Sequence, residues 1–187
     1  RDRICDALKG RLTQTEGLIS SMLGFVRGGS LLCLEPINVK QVLKDSVTAC
    51  QHDLDTHRAT LTINRINPGL MVLGSAIELS SVISNVIENA LLACREEPHI
   101  EIWAGAINQH MMLIRISDNG PGIDDSCIDQ VFDPFFTTRA NGTGLGLAVL
   151  ASVVQQHGGT VHVANRECGG AQFTILLPVE STSKDRA

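Results

Sequence analysis

Ile116 to Leu147 reads ISDNGPGIDDSCIDQVFDPFFTTRANGTGLGL. The stretch leaves an alternating segment at Ser117 and turns through Asp118-Asn119-Gly120-Pro121-Gly122-Ile123. A loop and short helix are expected to about Val131, and residues 132 to 143 carry no helix or strand period. A helix is then expected from Gly144 to His157. Upstream, Ile100, Ile102 and Ala104 alternate in 99–107, and Met112, Ile114 and Ile116 alternate in 110–117. Asn108-Gln109 lies between them, so the pair predicts a hairpin. A helix from Ser75 to Cys94 precedes it, with Ile77, Leu79, Val82, Ile83, Val86, Ile87, Ala90 and Leu91 apolar. Before that, Thr60–Arg65 and Met71–Leu73 read as short strands split by Asn67-Pro68-Gly69. Asn38 can cap a further helix whose apolar side runs Val39, Val42, Leu43, Val47, Cys50, Leu54. Downstream, Thr160–Asn165 and Gln172–Leu177 read as strands joined by Gly169-Gly170. Helices mixed with hairpin-connected strands predict an α+β two-layer sandwich with a mixed, mostly antiparallel sheet, not a doubly wound parallel one.

The chain has 187 residues, enough for one domain and a short appendage. Its 43% hydrophobic and 19% charged content argues against overall disorder. A net charge of −5 and an aromatic content of 3% disfavour nucleic acid as a partner. The reading expects no membrane contact, since no continuous apolar run approaches the roughly 18 residues of a membrane span, and no signal peptide. Six cysteines, at 5, 33, 50, 94, 127 and 168, stand at least 17 residues apart, which gives no zinc-ligand spacing. They read as small hydrophobes in a reducing cytoplasm.

Four features can carry chemistry. Asn85 and Asn89 share a helix face, with Glu88 between them. Amides and a carboxylate on an apolar helix are costly to bury unless paired. An amide oxygen is a hard ligand suited to Mg²⁺ that also holds phosphate oxygens; a solvent-facing polar stripe is the alternative. Asp118, beside Gly120 and Gly122, offers a carboxylate to an exocyclic amine such as that of adenine, although Asp-Asn-Gly is also a common turn. Gly142-Thr143-Gly144-Leu145-Gly146 opens a helix, where backbone N–H groups bind phosphate. Its spacing fits neither a P-loop nor a dinucleotide fingerprint. Between these, Phe132, Phe135 and Phe136 are three of the chain's five phenylalanines. They read as a lid over a ligand or as a satellite apolar cluster. Thr138 and Arg139 follow, and Arg139 can neutralise phosphate charge.

In this order and spacing, NVIEN, DNGPGI, FDPFFTT and GTGLGL resemble the N, G1, F and G2 boxes of sensor histidine kinases, within the GHKL or Bergerat ATP-binding fold. The resemblance covers roughly residues 60–178. The wording FDPFFTTR and GTGLGLAV is most similar to the nitrogen-regulatory and flagellar sensor-kinase branch. The resemblance implies that Asp118 accepts the adenine amine, with Gly120, Gly122 and Ile123 shaping its pocket. It implies that Asn89 and Asn85 hold Mg²⁺ bridging the phosphates of ATP, and that Glu88 orients the incoming histidine. Phe132, Phe135 and Phe136 would anchor the lid, and Thr138, Arg139, Gly142, Thr143, Gly144, Leu145 and Gly146 would surround the phosphates. Two positions depart from the family: Leu92 stands where a phosphate-contacting Lys is common, and Ala171 where a Thr commonly helps bind adenine through water.

Residues 4–26 carry an a/d seam of Cys5, Leu8, Leu12, Thr15, Ile19, Met22 and Val26. The seam fits a core-facing helix or one arm of an inter-chain bundle. By the resemblance, residues 1–28 are the second helix of a dimerisation bundle, 29–38 a linker, 39–180 the ATP-binding catalytic domain and 181–187 a frayed tail. The family's acceptor-histidine stretch is absent, which reads as a fragment of a longer, homodimeric kinase that phosphorylates a histidine on a dimerisation helix and passes the phosphate to a response regulator. The competing expectations are a nucleotide-sensing module without phosphotransfer, and another GHKL ATPase such as a serine-type anti-sigma kinase.

Overall fold

The computed structural model describes residues 34–67, 69–94, 96–139 and 142–180. The helix expected over 4–26 and the tail expected over 181–187 lie outside the described residues. Among the described residues two sheets and four α-helices form the body. Strands β1 (Glu35–Asn38) and β3 (Met71–Gly74) pair antiparallel as a two-stranded sheet. The main sheet takes β2 (Thr60–Ile66), β4 (His99–Ala106), β5 (Met111–Asp118), β6 (Thr160–Asn165) and β7 (Ala171–Pro178) in the order β2-β4-β5-β7-β6. Only β2 and β4 run parallel; the other pairings are antiparallel. The helices are α1 (Val39–Ala49), α2 (Gln51–Thr56), α3 (Ala76–Ala93) and α4 (Gly146–Gln156). The mixed two-layer sandwich expected from the sequence is therefore present.

Alternation sets which face of the sheet is covered. Ile100, Ile102 and Ala104 on β4, Met112, Ile114 and Ile116 on β5, and Phe173, Ile175 and Leu177 on β7 are all buried. They meet Ile83, Ile87 and Leu91 of α3 and Leu150 of α4 in one core. Burying each such side chain contributes about 1.5–3 kcal/mol. By length and mean hydropathy α3 would also pass as a membrane span, yet eight of its residues are buried against this fold. Its ends are set locally: the Ser75 hydroxyl accepts from Glu78 N–H at 3.4 Å. Asn38 caps α1 in the same way through Lys40 N–H at 3.0 Å.

Two features depart from the sequence reading. The expected linker over 29–38 reaches no further than Leu34 among the described residues, because Glu35–Asn38 is a strand whose Ile37 enters the core. Pro36 is tolerated there because a two-stranded sheet has open edges where a missing N–H goes unused. The helix begun at Val39 breaks at Cys50, whose φ of −91° and ψ of 1° end α1 before α2 starts. The strands on either side of Asn67-Pro68-Gly69 enter different sheets, β2 beside β4 and β3 beside β1.

His157 ties the two long helices together. Its Nε2 accepts from Ser75 N–H at 2.9 Å, at the start of α3, so its proton sits on Nδ1 and is donated to Val153 O at 2.7 Å, in the last turn of α4. This strut fixes the helix carrying Asn85 and Asn89 against the helix opened by Gly146.

Candidate functional site

A cleft of about 640 Å³ opens between α3, the end of β5 and the loop that leads into α4. Asn85, Asn89 and Leu92 of α3 form one wall. Asp118, Gly122 and Ile123, with Ala171 and Phe173 of β7, form the base. Phe136, Thr138, Arg139, Gly142, Thr143, Gly144 and Gly146 close the third side. The structure thus brings together most of the residues singled out in the sequence.

Asp118 is only 4% exposed. Its Oδ1 accepts from Gly120 N–H at 2.8 Å and from Ala171 N–H at 3.1 Å. Among the described residues its other oxygen takes no hydrogen bond, and Asp118 forms part of the cleft wall. A buried carboxylate with one oxygen held by main chain is a fixed acceptor. Gly120 therefore serves the site as a backbone donor, outside the cleft lining. Ala171, a departure by side chain, contributes through its main chain.

On the opposite side three side chains form a chain. Asn89 Nδ2 donates to Asn85 Oδ1 at 2.9 Å, while Arg139 donates to Asn89 Oδ1 at 3.0 Å and to Asn89 O at 2.8 Å. Burial pushes the Arg139 guanidinium below its usual range. At Gly146, the first residue of α4, a Cβ would press into the Asn85 amide, so any larger residue would displace that side chain. Gly144 O accepts from Phe135 N–H at 2.8 Å, fastening the apolar loop to the glycine-rich turn.

Four expected site residues stand elsewhere. Glu88 is exposed and outside the cleft lining. Consecutive helical residues point about 100° apart, and here the turn toward the cleft runs from Asn89 to Ala90 rather than back to Glu88. Partial desolvation, and then the charge of Asp53 on α2, raise the Glu88 carboxyl above the usual glutamate range. Phe132 packs on the core, not the cleft. Phe135 has a φ of +69° and a side chain that is 67% exposed, so its ring packs on nothing that would anchor the loop, which it holds only through its backbone N–H. Leu145 is buried beneath the turn. The sequence reading did not single out Thr137, Asp124 or Cys127, which also line the cleft; polar loop residues with no periodicity gave no signal for them.

Among the described residues no three His, Cys, Asp or Glu side chains converge as a metal site. The donors that remain are the Asn85 and Asn89 amide oxygens. They are neutral and hard, the donor type Mg²⁺ accepts beside phosphate oxygens, and here they are engaged by the Asn89 amide and by Arg139.

The sequence family described as histidine kinase-, DNA gyrase B- and HSP90-like ATPase matches residues 74–181, more than half of the chain. The chain belongs to this ATPase family. Among relatives, sensor histidine kinase ZraS of Escherichia coli K12 is 32% identical over 168 residues, which is 90% of this chain and 36% of ZraS. The histidine-protein kinase AtoS of the same strain is 42% identical over 101 residues, 54% of this chain and 17% of AtoS. The chain therefore spans about a third or less of these kinases' length. Among solved structures, the nucleotide-free catalytic domain of histidine kinase ThkA superposes with a TM-score of 0.71 at 25% identity, covering 78% of this chain and 95% of that domain. Mycobacterial sensor histidine kinase MprB gives 0.69 at 25% identity, covering 80% and 99%. Within the ATPase family the chain is thus an ATP-binding catalytic domain of the sensor histidine kinase kind.

Proposed function

We propose that the cleft holds Mg-ATP with the adenine at Asp118 and the phosphates between Asn89 and the Gly142–Gly146 turn, and that it presents the γ-phosphate to a histidine on a dimerisation helix. The observation that carries this reading is Asp118, a buried carboxylate with one oxygen held by two N–H groups and the other left for a ligand's donor. The adenine amine would donate to that second oxygen. Asn89 and Asn85 would hold Mg²⁺, which when bound neutralises phosphate charge and orients the terminal phosphate. Arg139, which now reaches across to Asn89, would move to the phosphates, where a planar guanidinium matches two oxygens. Catalysis then consists of positioning and charge neutralisation. The whole protein would be a homodimer that hands the phosphate to an aspartate of a response regulator, in the cytoplasm, where the free thiols of Cys50, Cys94, Cys127 and Cys168 stay reduced.

Calorimetry with Mg-ATP on the wild type and Asp118→Asn tests the site. The variant keeps an oxygen for Gly120 and Ala171 but sets an NH₂ against the adenine amine. Its affinity should fall by about tenfold or more; equal affinity would refute the adenine assignment. The chain alone should not label itself with phosphate, and should label a separately supplied histidine-bearing dimerisation domain with acid-labile phosphate. ATP binding without that transfer would favour a nucleotide-sensing module.

A further inference from the structure

Two consecutive residues at the end of β6 hold both ends of the loop on which the base pocket depends, and neither lines the cleft. Asn165 makes a two-point contact with Ile123: its Oδ1 accepts from Ile123 N–H at 2.8 Å and its Nδ2 donates to Ile123 O at 2.7 Å. The side-chain amide thus acts as one rung of a sheet laid onto a loop. Arg166 holds the other end. Its Nη1 donates to Asp118 O at 3.0 Å, while Nη2 lies 3.4 Å from Glu101 Oε2 on β4. Arg166 is also locked through its backbone, N–H to Gly170 O at 2.9 Å and O from Gly169 N–H at 3.0 Å.

We propose that Asn165 and Arg166 are positioning residues that fix the 118–123 loop, and with it the acceptor oxygen of Asp118, for recognition of the purine 6-amino group. The inference rests on the adenine assignment of Asp118. Three observations support it. After Asp118 the loop carries Gly120, Pro121 and Gly122 and belongs to no helix or strand; Gly120 N–H on Asp118 and Asn119 on His99 N–H and Glu97 O hold its first part, which leaves Ile123 and the Asp118 carbonyl to contacts from outside. β6 is not the neighbour of β5, because β7 lies between them. The contact is made over the start of β7 at Gly170, where a Cβ would run into the Asp118 carbonyl oxygen. Arg166 reaches Asp118 from a separate groove that it lines with Glu101, Trp103 and Arg115, so it acts on the acceptor through the backbone and not through the ligand.

The test compares the affinities of Mg-ATP and Mg-ITP by calorimetry; ITP carries an acceptor where ATP carries the 6-amino donor. Asn165→Asp keeps the acceptor for Ile123 N–H and loses the donor to Ile123 O. Arg166→Lys keeps the charge and loses the fork that spans Asp118 and Glu101. The wild type should prefer ATP by about tenfold or more. Each variant should lower that ratio to about threefold or less, mainly by weakening ATP, and the double variant should abolish it. Asn165→Asp adds a negative charge that weakens both nucleotides alike, which is why the ratio is the readout. A folded variant with the wild-type ratio, or with both affinities reduced equally alongside a lower Tm, would overturn the proposal. A wild type that does not distinguish ATP from ITP would instead overturn the adenine assignment itself.

Discussion

Replacing Gly170 with alanine places a methyl group against the carbonyl of Asp118, and the adjacent glycine provides the control. Gly169 and Gly170 have φ of +90° and +89°. Alanine at either position therefore carries the same left-handed strain, about 1–2 kcal/mol. For a domain of this size that is a loss of about 2–8 °C in Tm. The surroundings differ. A Cβ on Gly169 meets nothing within 4 Å, whereas one on Gly170 overlaps the Asp118 carbonyl oxygen and lies 2.7 Å from its carbonyl carbon. Either the turn or Asp118 must shift, and both the Ala171 N–H bond to Oδ1 at 3.1 Å and the Arg166 bond to Asp118 O at 3.0 Å span that gap. Losing a hydrogen bond to a charged group costs about 1.5–3 kcal/mol, which is roughly 10- to 150-fold in affinity if it displaces the acceptor. Gly169→Ala should thus lose Tm and keep its affinity for Mg-ATP. Gly170→Ala should lose more Tm and bind at least about tenfold more weakly. Thermal denaturation and calorimetry on the three proteins decide it. Equal ATP affinity in the two variants would show that the contact between Gly170 and Asp118 does not set the site, and would refute the reasoning.

Three further outcomes follow from single contacts. Arg139→Ala should weaken Mg-ATP by about 5- to 30-fold through loss of a partly buried charged partner, while adenosine binds as before; calorimetry with both ligands separates these effects. The Cys50 thiol is fully buried, and burial raises its pKa to about 11. The unfolded chain therefore releases this proton near pH 9 and the folded chain does not, so Cys50 lowers stability as pH rises from about 9 to 11, by roughly 2–3 kcal/mol in all. Urea denaturation at pH 8 and pH 10.5 should show a fall that is smaller in Cys50→Ala. His157→Ala leaves the Ser75 N–H without its acceptor and should cost about 1–3 kcal/mol, measured as a shift in urea midpoint with an unchanged m-value.

The elements were legible where periodicity and caps agree. Thr160–Asn165 is a strand between the residues expected, and Asn38 and Ser75 cap the helices they precede. Periodicity reports the buried face of a segment but not its partner, so the parallel pairing of β2 with β4 and the pairing of Pro36 with Leu73 could not be read from it. At the cleft, residues that act through type and spacing were legible: Asn85, Asn89, Asp118 and the glycines. Those whose orientation depends on one backbone angle were not. Phe135 and Phe136 are neighbours of the same type, yet Phe135, at a positive φ, is exposed while Phe136 lines the cleft. The place of Glu88 outside the cleft lining was not legible either, because the motif was read as a unit although its last two residues point about 100° apart.

With Mg-ATP placed as proposed, the base end and the phosphate end of the cleft are held by different means. At the base end every contact is made by main chain or by side chains anchored elsewhere: Ala171 and Gly120 N–H on Asp118, Asn165 on Ile123, Arg166 on the Asp118 carbonyl. A ligand that binds there meets an acceptor already in place and need not order it. At the phosphate end the amide oxygens of Asn85 and Asn89 are already engaged, one by a neighbouring amide and the other by Arg139. Any cation or phosphate arriving there must exchange partners with those side chains. Binding energy from the base end is therefore available without rearrangement, whereas that from the phosphate end is reduced by the contacts it replaces. With Mg-ATP placed as proposed, contacts on Asn89 would then tune the response to phosphate and metal, and contacts around Asp118 the choice of base.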